Sequence, residues 1–358
     1  MKRKTGFLVG IIIVLCLISF VIIKVAGRKN VNPVEKEDSD EIVILTSFYP
    51  MYVLTVNLVD GLDGVRVVNL TNNQTGCVHD YQLTTKDMRE IADADIVILN
   101  GGEMEEFMEG VIDNYPKLKV IDASEGIEFL TGFDHDHDHE EAKQDHEEDN
   151  TESKHEEDYT ATEADHEEGN VGIDTTHEEV DSHHHSDING HVWMNMDLYQ
   201  KQIMTVTSKL SEYDKANAEV YKKNAQSYTD KVNALKEEFQ DVYQLADGKE
   251  IVIFHDAFAY LAQQMNMEVV CVVDTDSESA LSAGELAEVL EEIKRHSIQY
   301  LFTEEQYSTV VANRVAKETD AMVYVMDSLV TGEADSNAYL NGMRNNLEML
   351  RQAFSINN

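Results

Sequence analysis

Residues 214–248 read DKANAEVYKKNAQSYTDKVNALKEEFQDVYQLADG. The run has no proline, is rich in Ala, Lys and Glu, and stops at Gly248. These are strong helix formers followed by a helix breaker, with Asp214 placed to cap the start. As one helix, 215–246 would be about 48 Å long at about 1.5 Å per residue. That exceeds a small domain, so the run is expected to be a strut joining two lobes.

Beyond the strut, strands and helices alternate. EIVIFHD (250–256), EVVCVVD (268–274), QYLFTEE (299–305) and MVYVMDS (322–328) are apolar runs of strand length. Between them lie AFAYLAQQM (257–265), SAGELAEVLEEIKRH (282–296) and YSTVVANRVAKETD (307–320), with a closing helix from about 336 to 354. Ser282 with Glu285 three residues on forms a capping box. Continuous apolar strands alternating with helices predict a parallel sheet covered on both faces.

Before the strut, NGHVWMNMDLYQKQIMTVTSKLSEY (189–213) reads as largely helical. Nearer the N-terminus the alternation recurs. EIVILTS (41–47), VRVVNLT (65–71), DIVILNGG (95–102) and KVIDAS (119–124) read as strands. YPMYVLTVNLVDG (49–61), TTKDMREIADA (84–94, capped by Thr84 or Thr85) and EMEEFMEGVIDNY (103–115) read as helices. The fold class is thus α/β: two lobes with helix-covered parallel sheets, joined by one long helix. The expected division is an N-terminal lobe at 41–133, a His/acid-rich loop at 134–190, a return to the first lobe at 191–213, the linking helix at 214–247 and the second lobe at 248–358.

The loop interrupts this order. It opens near FDHDHDHEE (133–141) and holds 22 acidic residues against two lysines. Ten of the chain's 14 histidines lie in it: His135, His137, His139, His146, His155, His166, His177, His183, His184 and His185. With almost no large aliphatic residues it cannot offset its ordering entropy by burial, so it is expected to be disordered and to bind metal weakly. The loop carries about half of the chain's formal net charge of −41. Such a surface repels phosphate, which excludes nucleic acid as a partner and favours cations.

At the N-terminus, Lys2, Arg3 and Lys4 precede an apolar run from Gly6 to Ile23. Residues 1–27 are read as a signal peptide or membrane anchor, and 28–40 as a polar tether. Either places the rest outside the cytoplasm. Cys16 follows Leu15, where lipoprotein signals carry a small residue, so lipid attachment is the lesser reading. Outside this run only Cys77 and Cys271 remain, so there is no disulfide framework. A bridge between those two is not expected.

In open parallel sheets, ligands bind beyond the carboxyl ends of the strands. His255, Glu304 and Asp327 lie at such ends in the second lobe. His79 lies in the loop after the second strand, and His191 where the acidic loop re-enters order. The remaining histidine, His296, ends a helix, where its charge suits the dipole. Three histidines and a carboxylate would make a four-coordinate site suited to zinc.

Several segments resemble one family: TSFYPMYVLTVNL (46–58), TGCVHDYQLTTKDMREIADADIVILNGGEMEEFME (75–109), NGHVWMN (189–195), IFHDAFAYLAQQ (253–264), EVLEEIKRHSIQYLFTEEQYSTVVANRVAKET (288–319) and VYVMDSL (323–329). They look like the zinc-specific solute-binding proteins of ABC transporters, the metal-binding cluster A-I family of zinc-uptake and adhesin type. The resemblance covers 41–130 and 188–355. It implies a metal cleft between two lobes, with His79, His191, His255 and Asp327 as ligands and Glu304 as a candidate partner that orients His255. The implied cargo is Zn2+, with Mn2+ the alternative, since imidazole suits zinc better than the harder manganese. It further implies a monomer that serves a permease and its ATPase, with no enzymatic activity. An adhesin role on the same fold is the alternative from another class. Many relatives carry an acid, or an acid and a proline, before the first histidine, where this chain has Cys77-Val78. The acidic loop, running directly into His191, is expected to collect zinc for the cleft.

Overall fold

A computed structural model describes residues 41–71, 76, 78–79, 81–131, 188–273, 281–305 and 309–355. In chain order the first lobe contains β1 (Ile42–Thr46), α1 (Tyr49–Leu58), β2 (Val65–Asn69), α2 (Thr85–Asp93), β3 (Ile96–Leu99) and β4 (Lys119–Asp122). Its four strands are all parallel, in the order β2-β1-β3-β4. The centre of β1 is fully buried, which explains why the strand reads as unbroken Ile, Val and Leu. Thr84 caps α2, and its box is closed by Asp87.

The expected helix at 103–115 does not form. Two single 3₁₀ turns, Glu106–Met108 and Ile112–Asn114, stand there instead. Glu103 and Gly110 both have positive φ, which a right-handed helix cannot contain. Between them Glu105 turns its carboxylate back to the backbone N–H groups of Asn100 and Gly101.

Next come two short antiparallel strands, β5 (Leu130–Thr131) and β6 (Ile188–Asn189), which were not foreseen. They pair across the acidic insertion, most of which lies outside the described residues. Helix α3 (Met196–Tyr213) follows, capped by Asn195.

The strut departs from expectation in detail. It is α4 (Ala218–Glu238) followed by α5 (Gln240–Ala246), interrupted at the buried Phe239. The main helix is therefore about 30 Å long by its rise. Asp214 does not cap it. The Asp214 carboxylate ends the turn before it, accepting from Tyr221 Oη at 2.8 Å and Asn217 Nδ2 at 2.7 Å. The α3–α4 pair is an antiparallel hairpin: Asp197 meets Lys236, Gln200 meets Asn233, and Tyr199 meets Tyr228. The strut still reaches both lobes. Asn224 donates to Leu58 O and Asp60 O in the first, and Glu238 pairs with Arg344 in the second.

The second lobe holds β7 (Glu250–Ile253), α6 (Phe258–Gln264), β8 (Glu268–Val272), α7 (Ala283–His296), β9 (Tyr300–Glu304), α8 (Val310–Lys317), β10 (Met322–Met326) and α9 (Ala338–Ser355). Its parallel strands run β10-β9-β7-β8. Ser282 caps α7 with Glu285 completing the box, as its spacing predicts.

One apolar core runs through both lobes and the helices between them. At the junction Trp193 is fully buried, packs edge-on to Phe48 at 5.1 Å, and donates from Nε1 to Ser328 O at 2.8 Å. Tyr339 of α9 donates to Trp193 O at 2.9 Å and stacks on Tyr199 at 3.9 Å. Tyr49 and Asn57 of α1 donate to Glu333 O and Ser336 O of the second lobe. Replacing Trp193 with alanine opens a cavity at this junction and orphans Ser328 O. The expected loss is about 3–5 kcal/mol of unfolding free energy, read from the urea midpoint of the metal-free protein.

Candidate metal centre

In each sheet the chain winds outward both ways from a central pair of strands. These pairs are β1/β3 in the first lobe and β9/β7 in the second. The crevice beyond their carboxyl ends is where such sheets bind ligands.

In the second lobe His255 follows β7 and is 1% exposed. Its Nδ1 makes a close charge contact with Glu304 Oε2, at the end of β9, and the Ser328 hydroxyl donates to the other oxygen of that carboxylate. Glu304, the expected orienting partner, is therefore in place. A carboxylate against Nδ1 favours the tautomer protonated on that nitrogen, which leaves Nε2 as the ligating atom.

His191 is built from the other side. Gly190 before it lies against Gly102 O and the Met104 side chain, where a Cβ would sit 2.5 Å from both. Only glycine fits. Gly190 O accepts from Asn100 Nδ2 at 2.9 Å, tying the histidine to the end of β3. Asn189 Oδ1 accepts from the His191 backbone N–H at 3.0 Å and lies 2.9 Å from His191 Nδ1. Asn189 Nδ2 donates to Asp256 O at 2.9 Å. Two backbone partners thus fix which end of the amide is oxygen, so Nδ1 of His191 carries the proton and Nε2 carries the lone pair. Burial is the main cause that holds His191 well below the ordinary histidine pKa, with His255 and His79 adding to it. The ring is therefore neutral, as a metal ligand must be.

The rings of the three histidines converge. His191 lies 4.8 Å from His255 and 5.7 Å from His79, centroid to centroid. His79 is exposed and stands at the outer side. Among the described residues, one tight group of donor atoms occurs: His191, His255 and Asp256, mutually within 4.8 Å. The structure does not bring Asp327 into that group. Its Oδ1 accepts from Leu329 N at 2.8 Å, and its backbone is clamped both ways by Asn346 of α9. Asp256 was missed by sequence reasoning although it directly follows His255.

His296 ends α7 away from the cleft, 3.1 Å from Glu250 and 3.8 Å from Glu292, as a dipole-favoured helix terminus predicts. Cys271 is a free thiol in β8, raised to about 11 mainly by burial. Cys77, Cys16 and the ten histidines from His135 to His185 lie outside the described residues.

A second buried carboxylate sits under the first lobe's crevice. Glu105 accepts from the Ser47 hydroxyl at 2.6 Å, Asn100 N at 2.7 Å and Gly101 N at 3.1 Å. Asn100 in turn accepts from Gln202 of α3 at 2.9 Å. Sequence gave no sign of this network, because its members are scattered polar residues in three loops and a helix.

The family model of the zinc-uptake complex component A, periplasmic, matches residues 44–353. The chain belongs to that family. Its members are solute-binding components of uptake systems, not enzymes, and serve an ABC permease and its ATPase. The high-affinity zinc uptake system protein ZnuA of Bacillus subtilis is 25% identical over 94% of this chain and 95% of its own length. The zinc-binding lipoprotein AdcA of Streptococcus pneumoniae is 26% identical over 89% of this chain, which spans only 57% of that relative. The lesser weight given to lipid attachment is thus not borne out, since a relative is named a lipoprotein. The solute-binding protein FpvC of Pseudomonas aeruginosa, in complex with Ni2+, superimposes with a TM-score of 0.67 at 20% identity, over 89% of this chain and 98% of FpvC. At that identity it shows the shared two-lobed fold. Among the described residues no helix is long and apolar enough to cross a membrane.

Burial lifts Glu105 from 4.5 to about 7, against the pull of its three donors. Between those values the folded chain holds a proton that the unfolded chain releases. This group's contribution is therefore fully present below the unfolded pKa and is lost as pH rises to about 7. Glu105→Gln removes the titration. In urea unfolding of the metal-free protein, wild type should lose stability relative to the variant from pH 5 to 7, by at most about 1.4 kcal/mol per pH unit. A difference that stays flat with pH would show that Glu105 titrates normally.

Proposed function

We propose that this protein captures zinc outside the cytoplasm in the cleft between its lobes and hands it to a membrane permease driven by a separate ATPase. The observation that carries the reading is the pair of buried histidines, each with an acceptor oxygen against its Nδ1. His255 is held by Glu304 and His191 by Asn189. Both rings are kept ready to ligate through Nε2 before the ion arrives, and His79 adds a third nitrogen from the exposed side. Imidazole donors favour zinc over manganese. The three nitrogens bind, Glu304 and Asn189 orient, and the apolar floor formed by Trp193 and Phe258 keeps water from the inner side of the rings.

The domain division follows the elements. The lobes meet at the α3–α4 hairpin, and a monomer is sufficient, since both walls of the cleft come from one chain. The segment 1–27 serves as export signal or anchor, holding the protein at the outer face of the membrane. The shared core across the junction favours release by small loop shifts over wide opening of the lobes.

The acidic insertion is an auxiliary zinc collector. Its many His, Asp and Glu side chains offer exchanging sites, each weaker than a pre-formed cleft. The β5/β6 ladder closes it two residues before His191, so captured metal is held close to the cleft and its local concentration is raised.

Two variants separate these roles in calorimetric zinc titrations. Removing residues 135–187 should abolish the weak sites and keep one tight site. His255→Ala should weaken the tight site by more than about 100-fold, beyond the loss typical of an outer partner, and leave the weak ones. Loss of the tight site on removing the insertion would disprove the division of labour.

A further inference from the structure

The turn that leaves β3 has an uncommon backbone. Gly101, Gly102 and Glu103 all have positive φ, at 85°, 64° and 62°. Glycine adopts that shape freely, but glutamate does not, so the run needs something to hold it. Glu105, 7% exposed, supplies the hold. One of its carboxylate oxygens accepts from Asn100 N at 2.7 Å and from the Ser47 hydroxyl at 2.6 Å. The other accepts from Gly101 N at 3.1 Å. Both oxygens serve as acceptors, which a carboxylate provides and an amide cannot.

This turn bears on the cleft through Gly190. The Asn100 side chain uses its oxygen and both amide hydrogens. Its Oδ1 accepts from Gln202 Nε2 at 2.9 Å, and its Nδ2 donates to Gly101 O at 2.8 Å and Gly190 O at 2.9 Å. With all three engaged, the amide has one position. Gly190 O also accepts from Val192 N at 2.8 Å, and His191 between them has φ −78° and ψ 40°. Those angles approach an inverse γ-turn with His191 at its apex. Gly190 is further packed against Gly102 O and the Met104 side chain. Residues 100–104 therefore seat the backbone of His191, while Asn189 meets its ring.

We infer that Glu105 is a positioning residue for the metal centre: its carboxylate keeps the 100–104 turn in the shape that seats His191. This rests on the zinc reading above, in which His191 is a ligand. The effect passes from Glu105 to the backbone of Asn100 and Gly101, from the Asn100 amide to Gly190 O, and so to the peptide of His191. Glu105 itself meets no ion.

The test compares the full chain with Glu105→Ala, Glu105→Gln, Asn100→Ala, the double variant of Glu105→Ala with Asn100→Ala, and Val315→Ala. Val315 is buried in a separate core of the second lobe and controls for lost stability alone. Zinc affinity is read by competition with a chromophoric chelator, and geometry by the visible absorption of bound Co2+. Both are measured well above the Glu105 pKa of about 7, where the carboxylate is charged. Hydrogen exchange of the segment 189–194 in the metal-free proteins reads the hold directly. Glu105→Ala should weaken zinc binding about 10-fold, the lower end of what outer partners contribute, shift the Co2+ bands and speed exchange in that segment. Glu105→Gln keeps one acceptor oxygen and should fall between wild type and Glu105→Ala. The double variant should lose no more than about the larger single loss, since both residues act through one bond to Gly190. Val315→Ala should leave zinc affinity and the Co2+ bands unchanged.

Circular dichroism checks folding; if Glu105→Ala does not fold, Glu105→Gln and its double variant with Asn100→Ala carry the same comparison. Unchanged affinity and bands in the folded Glu105 variants, or fully additive losses in the double variant, overturn the assignment. Absence of a tight zinc site in wild type would overturn the zinc reading instead, while the exchange comparison would still decide whether Glu105 holds the turn.

Discussion

The cleft depends on a single side-chain amide. Asn189 accepts from His191 at both its backbone N–H and its ring, and donates to the backbone of Asp256 in the other lobe. Its own carbonyl accepts from Tyr260 Oη at 2.6 Å. One residue thereby sets a histidine's tautomer, joins the two walls and seats the end of β6. An amide suits this task because it carries a donor and an acceptor at fixed separation and does not change charge with pH.

Around that point the lobes are fused more than hinged. Trp193, Tyr199 and Tyr339 form a buried aromatic junction, and the tyrosine hydroxyls find partners within it. Opening the lobes widely would expose these rings and break bonds whose partners are buried. Wide opening is therefore costlier than local movement of the loops that carry the cleft's side chains. Each lobe also places one buried carboxylate beneath its crevice, Glu105 in the first and Glu304 in the second. The second faces His255. The first organises backbone N–H groups and, through Asn100, the peptide that precedes His191.

Much of this was legible in the sequence. Apolar strand runs and capping boxes at Thr84 and Ser282 announced the α/β order, because local propensity and tertiary packing agree there. The strut was legible as a helix but not in its bounds, since Phe239 is held by burial and its break leaves no local mark. The 103–115 segment misled because its composition favours helix while Glu105 is drawn inward by a tertiary network. His79, His191 and His255 stood out because few histidines occur outside the acidic run, and the structure brings their rings near one another. Asp256 was passed over because an acid beside a histidine is common, and only the fold places it near His191 as well as His255. Asp327 stood out by its place at the end of a strand and by resemblance; in the structure one of its oxygens also accepts from Leu329 N, at a turn with positive φ.

The two-residue ladder of β5 and β6 has an effect out of proportion to its size. It brings Thr131 and Ile188 to adjacent positions, so whatever chain connects them begins and ends at one stitch. The entropy of closing a flexible chain rises by only about 0.6 kcal/mol for each doubling of its length. The span between the two strands can therefore grow, shrink or change composition with almost no effect on the folding of the lobes. The stitch thus separates the histidine content of the insertion from the pairing that seats Asn189, two residues before His191.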